Sequence, residues 1–542
     1  MLMNTIKTTK LLSITALTVA LTFLSACGGG SGSDNVINNT NPSEFDGLVY
    51  QADANIDNQF KLFSTAKDSN DVNELAGPSI SDGDLLTYSM SPDHTHVAFL
   101  GYLDNDNTQE LFVVSLLNGQ PPVKASGTLP VGGNIVSFKW SPDSSRIAYR
   151  ADQDVFQDFE LYTVLANGTG NRKVSAPLVL FGDVKTDYQW SPDSSRIAYR
   201  ADQETDEIFE LYNTVITGGT GNGKVSGVLL NNGDVVGFQW SPNSRQIAYA
   251  ADQDTDNTFE LYNSVVLGVV GISKVSGMLP NTGNVLSFKW SPDSSRIAYR
   301  ADQDTANVFE LYTVDIGVAG NNKVSGTMVN GGDVGRFVNR PTFQWSPDGT
   351  RIAYQADQDI DGVFELYTVL PGGADNIKVS GTLTTGRTVE DDFQWSPDSS
   401  RVAYRANQDN FITVDLYTTF ANGTDNAKIS DFLIFGSNVS NRYKWSPDSS
   451  RIAYIEDLLT NQVFRLYNSL ADGTSNSKVS EGNIKNNSFQ WSWSPDSSRI
   501  AYIADQDTVG VFELYTMFAD GTDNIKVSST LVADGDVWNF SW

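Results

Sequence analysis

The chain has 542 residues, with 36 Lys and Arg against 65 Asp and Glu, for a formal net charge of −29. A surface this acidic repels phosphate backbones and anionic lipid, which argues against nucleic acid and membrane surfaces as ligands and favours cations or basic protein patches. A single cysteine excludes disulfide stapling, so the fold rests on packing.

Lys7 and Lys10 precede an apolar stretch from Leu11 to Leu24, too short to cross a bilayer and ending in small residues, as in a secretory signal. Leu24-Ser25-Ala26-Cys27 resembles a bacterial lipobox. That resemblance implies cleavage before Cys27, lipid attachment there and, because Gly28 rather than aspartate follows, residence at the outer membrane, facing the periplasm or the outside. Residues 28–44, GGGSGSDNVINNTNPSE, are almost without apolar side chains and read as a flexible tether. The expected organisation is a signal over 1–26, a tether over 27–44 and a repeat domain over 45–542, with membrane contact through the lipid alone.

Trp-Ser-Pro then recurs at Trp140, Trp190, Trp240, Trp290, Trp345, Trp395, Trp445 and Trp493, with a divergent copy at Met90. A unit of about fifty residues has been copied end to end. Each copy holds four short runs rich in aromatic and β-branched residues, such as Ile135 to Trp140, Arg146 to Arg150, Phe159 to Val164 and Lys173 to Ser175. Ser-Pro-Asp suits a type I turn, and Asn167-Gly168 or Asp520-Gly521 supplies the positive φ of a tight hairpin. No long helical period occurs, so four antiparallel strands per unit, packed radially as blades, are expected: an all-β propeller.

The ends complement each other. GLVYQADANIDNQFKLF after Phe45 matches second and third strands without a first, and VWNFSW ending at Trp542 matches a first strand without a second. If the last strand completes the first blade, the ring has ten blades. The alternative is two smaller propellers, with the five extra residues between Trp290 and Trp345 as the junction.

WSPDSSRIAYRADQD followed by FELYTV resembles the WD40-like propeller repeat of the TolB type and, more distantly, the propeller of dipeptidyl peptidase IV relatives. The likeness spans nearly all of residues 45–542. It implies a propeller used for protein contacts. The separate amino-terminal domain of TolB itself has no counterpart here, so a family member other than TolB is expected.

Catalysis is not expected. His94 and His96 are the only histidines, no Gly-x-Ser-x-Gly elbow occurs, and Ser141, Ser191 and Ser291 are repeated turn serines. The loop between second and third strands is the strongest chemical pattern. Asp252, Asp254, Asp256 and Glu260 stand at positions one, three, five and nine, the oxygen spacing of a calcium loop. Asp202, Glu204, Asp206 and Glu210 repeat it, as do Asp357, Asp359, Asp361 and Glu365, so calcium is a candidate cofactor. The competing reading is a solvated acidic turn, with Arg150–Glu160 and Arg200–Glu210 as cross-strand salt bridges.

Strand parity puts these acidic loops on the same face as the connections joining one blade to the next, where the copies differ most: compare GTLPVGGN, APLVLFGD and TMVNGGDVGRFVNRPT. Recognition is expected on that face. The expected function is a non-catalytic, lipid-anchored envelope scaffold that binds a protein or envelope polymer. The alternative is a calcium-dependent surface or adhesion protein.

Overall fold

Each repeat folds as a four-stranded antiparallel sheet, and among the described residues there are ten such sheets, arranged as a ten-bladed propeller. The computed structural model describes residues 45–542 except 57, 79–83, 104–107, 217–221, 231, 268–270, 281–282, 338–339, 341, 431–436, 459–462, 481–482, 485–490 and 533–534. The expected signal and tether, with Cys27, lie outside the described residues.

The third blade shows how the pattern works. Its strands are Ile135–Trp140, Arg146–Ala151, Glu160–Leu165 and Arg172–Lys173. Alternate side chains of the second strand point to opposite neighbours. Ile147 and Tyr149 pack with Leu100, Leu111 and Val113 of the blade before, while Ala148 joins Tyr188, Trp190 and Ile197 of the blade after. Both sheet faces are therefore core, so RIAYRA reads as an almost unbroken buried run. Tyr149 and Tyr162, cross-strand partners, stack at 5.4 Å between centroids, and the pair recurs as far as Tyr502 and Tyr515. Such a pair contributes about 0.5–1.5 kcal/mol beyond its buried area.

The repeated tryptophan sews blade to blade. The Trp190 indole Nε1 donates to the Lys139 carbonyl at 3.1 Å, and that of Trp240 to the Gln189 carbonyl at 3.2 Å. Trp345 makes the same bond to the Lys289 carbonyl at 3.2 Å. The extra residues before it therefore do not mark a junction. They form a longer connection whose Gly335 and Phe337 carbonyls accept from the buried Arg300.

On the face carrying the Ser-Pro-Asp turns, Asp143 accepts from the Ser141 hydroxyl at 2.6 Å and from the Ser145 amide at 3.1 Å. Its own amide donates to the Ser194 hydroxyl of the next blade at 3.0 Å, and Asp193 does likewise to Ser244 at 2.9 Å. Ser144 and Ser194 hold φ of 61°, left-handed backbone that aims each hydroxyl at its neighbour.

Closure follows the complementary ends. Gly47–Ala52 pairs antiparallel with Val537–Ser541, with Tyr50 opposite Phe540. The Trp542 indole donates to the Ser492 carbonyl at 3.1 Å, and Thr516 Oγ1 to the Lys67 carbonyl at 2.8 Å.

The cross-strand arginine–glutamate bridges do not form. Arg150 pairs across the hairpin with Leu161, and Glu160 with Ala151. Residues 150 and 160 are thus offset by one and project to opposite faces. Arg150 instead donates to the Val184 carbonyl and lies 3.7 Å from Asp183, while Arg200 bonds Asp187 at 2.8 Å.

Candidate binding face

The first acid of each acidic loop is a staple. Asp252 Oδ1 accepts from the Asp234 amide of the blade-joining connection at 2.6 Å, and Oδ2 from the Asn257 amide of its own loop at 3.3 Å. Asp202 holds the Asp183 and Glu207 amides at 2.5 and 3.2 Å, and Asp357 the Asp333 and Gly362 amides at 2.6 and 2.8 Å. The connections reciprocate. Asp183 Oδ1 accepts from the Phe159 amide at 3.0 Å, and Asp234 Oδ1 from the Phe209 amide at 2.8 Å. The connections at Asp183, Asp234 and Asp333 are thus pinned between the acidic loops of two blades.

A second tie lies beneath. Gln253 Oε1 accepts from the Gly227 amide at 2.9 Å and from the Tyr249 hydroxyl at 2.9 Å. A Cβ on Gly227 would sit 2.5 Å from Gln253 Cδ, so a larger residue there needs the glutamine to move back, as where Ala176 takes this place and its amide lies 3.3 Å from Gln203 Oε1.

The acids at positions three and nine of each loop converge on lysine. Lys274, on the outermost strand, places its ammonium 2.8 Å from Glu260 Oε1 and 3.3 Å from Asp254 Oδ2. Lys378 stands 2.9 Å from Asp359 and 3.1 Å from Glu365, and Lys224 bridges Glu204 at 3.2 Å and Glu210. Lys173, Lys323, Lys428 and Lys526 repeat the bridge in four further blades. The other oxygen of Glu260 accepts from the Tyr262 hydroxyl at 2.9 Å. Burial pulls the Lys274 ammonium down, but its two carboxylate partners outweigh that, and its pKa stands above the ordinary lysine value.

The acids of the predicted calcium loops thus have other partners in this structure. Asp202, Asp252 and Asp357 are engaged by amides. Glu204 with Glu210, Asp254 with Glu260, and Asp359 with Glu365 enclose an ammonium, and Asp206, Asp256 and Asp361 point into solvent. Among the described residues no group of three or more His, Cys, Asp or Glu side chains is placed to hold a metal ion. His94 takes the left-handed turn position, with φ of 55°, and His96 Nδ1 lies 2.7 Å from Thr95 Oγ1. The lysine was overlooked in the sequence although its signal is there: Lys-Val-Ser recurs at a near-constant distance after Glu-Leu-Tyr. In the ninth blade the charges exchange, with Glu456 directly opposite Arg465.

Above this rigid base the connections expose apolar tips. Val131, Phe181, Val228 and Met278, on four successive connections, are 100, 75, 84 and 89 % exposed. Phe156 and Phe411 add aromatic rings from the second-to-third-strand loops, with the Arg387 guanidinium 4.5 Å over the Phe411 ring. The face is acidic and apolar together, on a backbone held by amide–carboxylate bonds.

These features define a β-propeller of four-stranded blades. Residues 274–542 match the TolB beta propeller domain. No curated protein matches the chain. Solved structures similar to it include a eukaryotic initiation factor, at 11% identity over 92% of this chain and 98% of that one, TM-score 0.49. Dipeptidyl peptidase 4 of Porphyromonas gingivalis is similar at 11% identity over 84% of this chain and 63% of that one, TM-score 0.47. A protein of Agrobacterium tumefaciens described as TolB is similar at 15% identity over 51% of this chain and 87% of that one, TM-score 0.27. Propellers of this class occur in proteins with and without catalytic activity.

Proposed function

We propose that this protein is a non-catalytic scaffold of the cell envelope, lipid-anchored at Cys27 to the outer membrane, that binds a protein or envelope polymer through its variable-loop face. The observation that carries the reading is the pinning of exposed, sequence-variable connections between the loops of neighbouring blades, as in Asp234 between Phe209 and Asp252. Loops fixed before binding lose little conformational freedom on binding, which is how a rigid framework supports recognition. The opposite face repeats the same turn in nearly every blade and offers little to tell one partner from another. Calcium is not required in this reading, because lysine ammonium groups already sit among the acidic side chains.

The test is affinity capture from envelope extracts with the lipidated chain, compared with a variant in which the exposed acids and apolar tips of the variable face are replaced by serine. Partners retained by the native chain and lost by the variant support the reading. Capture unaffected by the variant but lost when the Ser-Pro-Asp face is altered would overturn it.

A further inference from the structure

The geometry points to a specific partner chemistry: we infer that the arc of the variable face over the third to sixth blades binds a cationic amphipathic protein segment, with apolar side chains set between lysines or arginines. This rests on the scaffold reading above and narrows it.

The arc has an order imposed by the fold. Because each connection is stapled between two acidic loops, apolar tips and acids must alternate along it: Phe181, then Asp206 and Glu207, then Val228, then Asp256, then Met278. At the positions of Val228 and Met278, three later connections carry Thr327, Thr382 and Thr530, and another carries Phe432. Isolated exposed apolar residues are ordinary, but three on consecutive rigid loops form a surface that gains by being covered.

The charge is equally ordered. Lys224 and Lys274 each face two carboxylates, so the ammonium groups are outnumbered, and Asp206, Glu207 and Asp256 stand exposed beyond them. A surface that is negative between apolar tips selects a partner that is positive between apolar side chains. Nucleic acid and anionic lipid carry the wrong sign. A small cation would leave Phe181, Val228 and Met278 uncovered.

The test uses the full chain and a synthetic peptide composed of lysine, leucine and phenylalanine, read by fluorescence anisotropy, with a lysine-only peptide of equal length and phosphatidylcholine vesicles as further arms. The mixed peptide should bind about tenfold more tightly than the lysine-only peptide, and Phe181→Ser with Val228→Ser and Met278→Ser should cost about tenfold. Asp206→Asn with Glu207→Gln and Asp256→Asn should weaken binding and reduce its salt dependence. Val318→Ser, on the opposite face, should change nothing. Equal binding of both peptides, or indifference to both sets of variants, overturns the inference, as does vesicle binding that depends on Phe181, Val228 and Met278. Loss of binding only on altering Phe411 and Val509 overturns the arc while leaving the scaffold reading standing. Failure of envelope capture across the whole variable face would instead remove the scaffold reading.

Discussion

Lys274 and Glu260 form an ion pair at 2.8 Å in which the carboxylate is 7 % exposed, beneath the more open Asp254. Glu260 opens the third strand opposite Ala251, and Lys274 ends the fourth opposite Tyr262, so ladder register alone brings them together. Lys274→Met should leave a buried carboxylate with only Tyr262 for a partner and cost about 1–3 kcal/mol. Adding Glu260→Gln should recover most of the loss, as read from thermal midpoints. A double variant no better than the single one would show that the pair is not the unit of stability.

The same arrangement governs the response to metal. Calcium would have to displace a lysine ammonium from two carboxylates, so millimolar calcium should leave the thermal midpoint where excess chelator leaves it. A rise specific to calcium over magnesium, abolished by neutralising Asp252, Asp254 and Asp256, would revive the calcium-dependent adhesion reading. A ligand at one hundred times its dissociation constant adds about 2.7 kcal/mol per site, well within detection.

The turn-to-turn bonds make an internal control. Gly349 stands where most blades have serine, at φ of 71° against 61° at Ser194. The Asp293 amide in the sixth blade therefore lacks the hydroxyl that Asp143 finds in Ser194. Gly349→Ser should raise the thermal midpoint slightly, since the backbone is already in place and the serine supplies an acceptor. Ser194→Ala should lower stability by about 1 kcal/mol.

Ring closure rests on the last strand. Removing residues 537–542 exposes the edge of Gly47–Ala52 and deletes the Trp542 bond to Ser492. The truncated chain should melt at lower temperature and self-associate through the open edge, by sedimentation. A monomer with unchanged melting would mean that the ring does not depend on this strand.

Alkaline pH should unfold the protein through its buried tyrosines. Burial pushes Tyr149, Tyr354 and Tyr404 up to about 12, although each accepts a hydrogen bond from an asparagine side chain and a glycine amide. An unfolded tyrosine titrates near about 10. The native state thus holds these protons over roughly pH 10 to 12 while the unfolded state releases them, so their stabilisation is complete below about pH 10 and disappears as pH rises through 12. Tyrosinate absorbance should appear together with loss of the β circular dichroism signal. Titration of most tyrosines near pH 10 with that signal intact would refute the assignment.

The architecture was legible in the sequence because repetition amplifies weak signals. One copy of RIAYRA is an ambiguous apolar run, but a series of copies between fixed turns specifies a blade. VWNFSW and GLVYQA each lack what the other supplies, so ten blades with a shared first could be expected, with two smaller propellers as the alternative, before the ring was seen. The partners of the charged side chains could not. Arg150 and Glu160 are close in sequence and share a hairpin, yet a one-residue offset sends them to opposite faces. The lysine that meets Glu160 arrives from the fourth strand, at Lys173.

The sequence by itself determined the strands, their turns and the face on which variation accumulates, since these depend on local periodicity and turn chemistry, whereas ten blades in one ring came from the pairing of Gly47–Ala52 with Val537–Ser541. Only the tertiary structure decided what the acidic loops do. Spacing along a chain says which oxygens are near one another, but not what fills the space between them. Here that space is occupied by backbone amides of the neighbouring connection and by an ammonium group from the outermost strand.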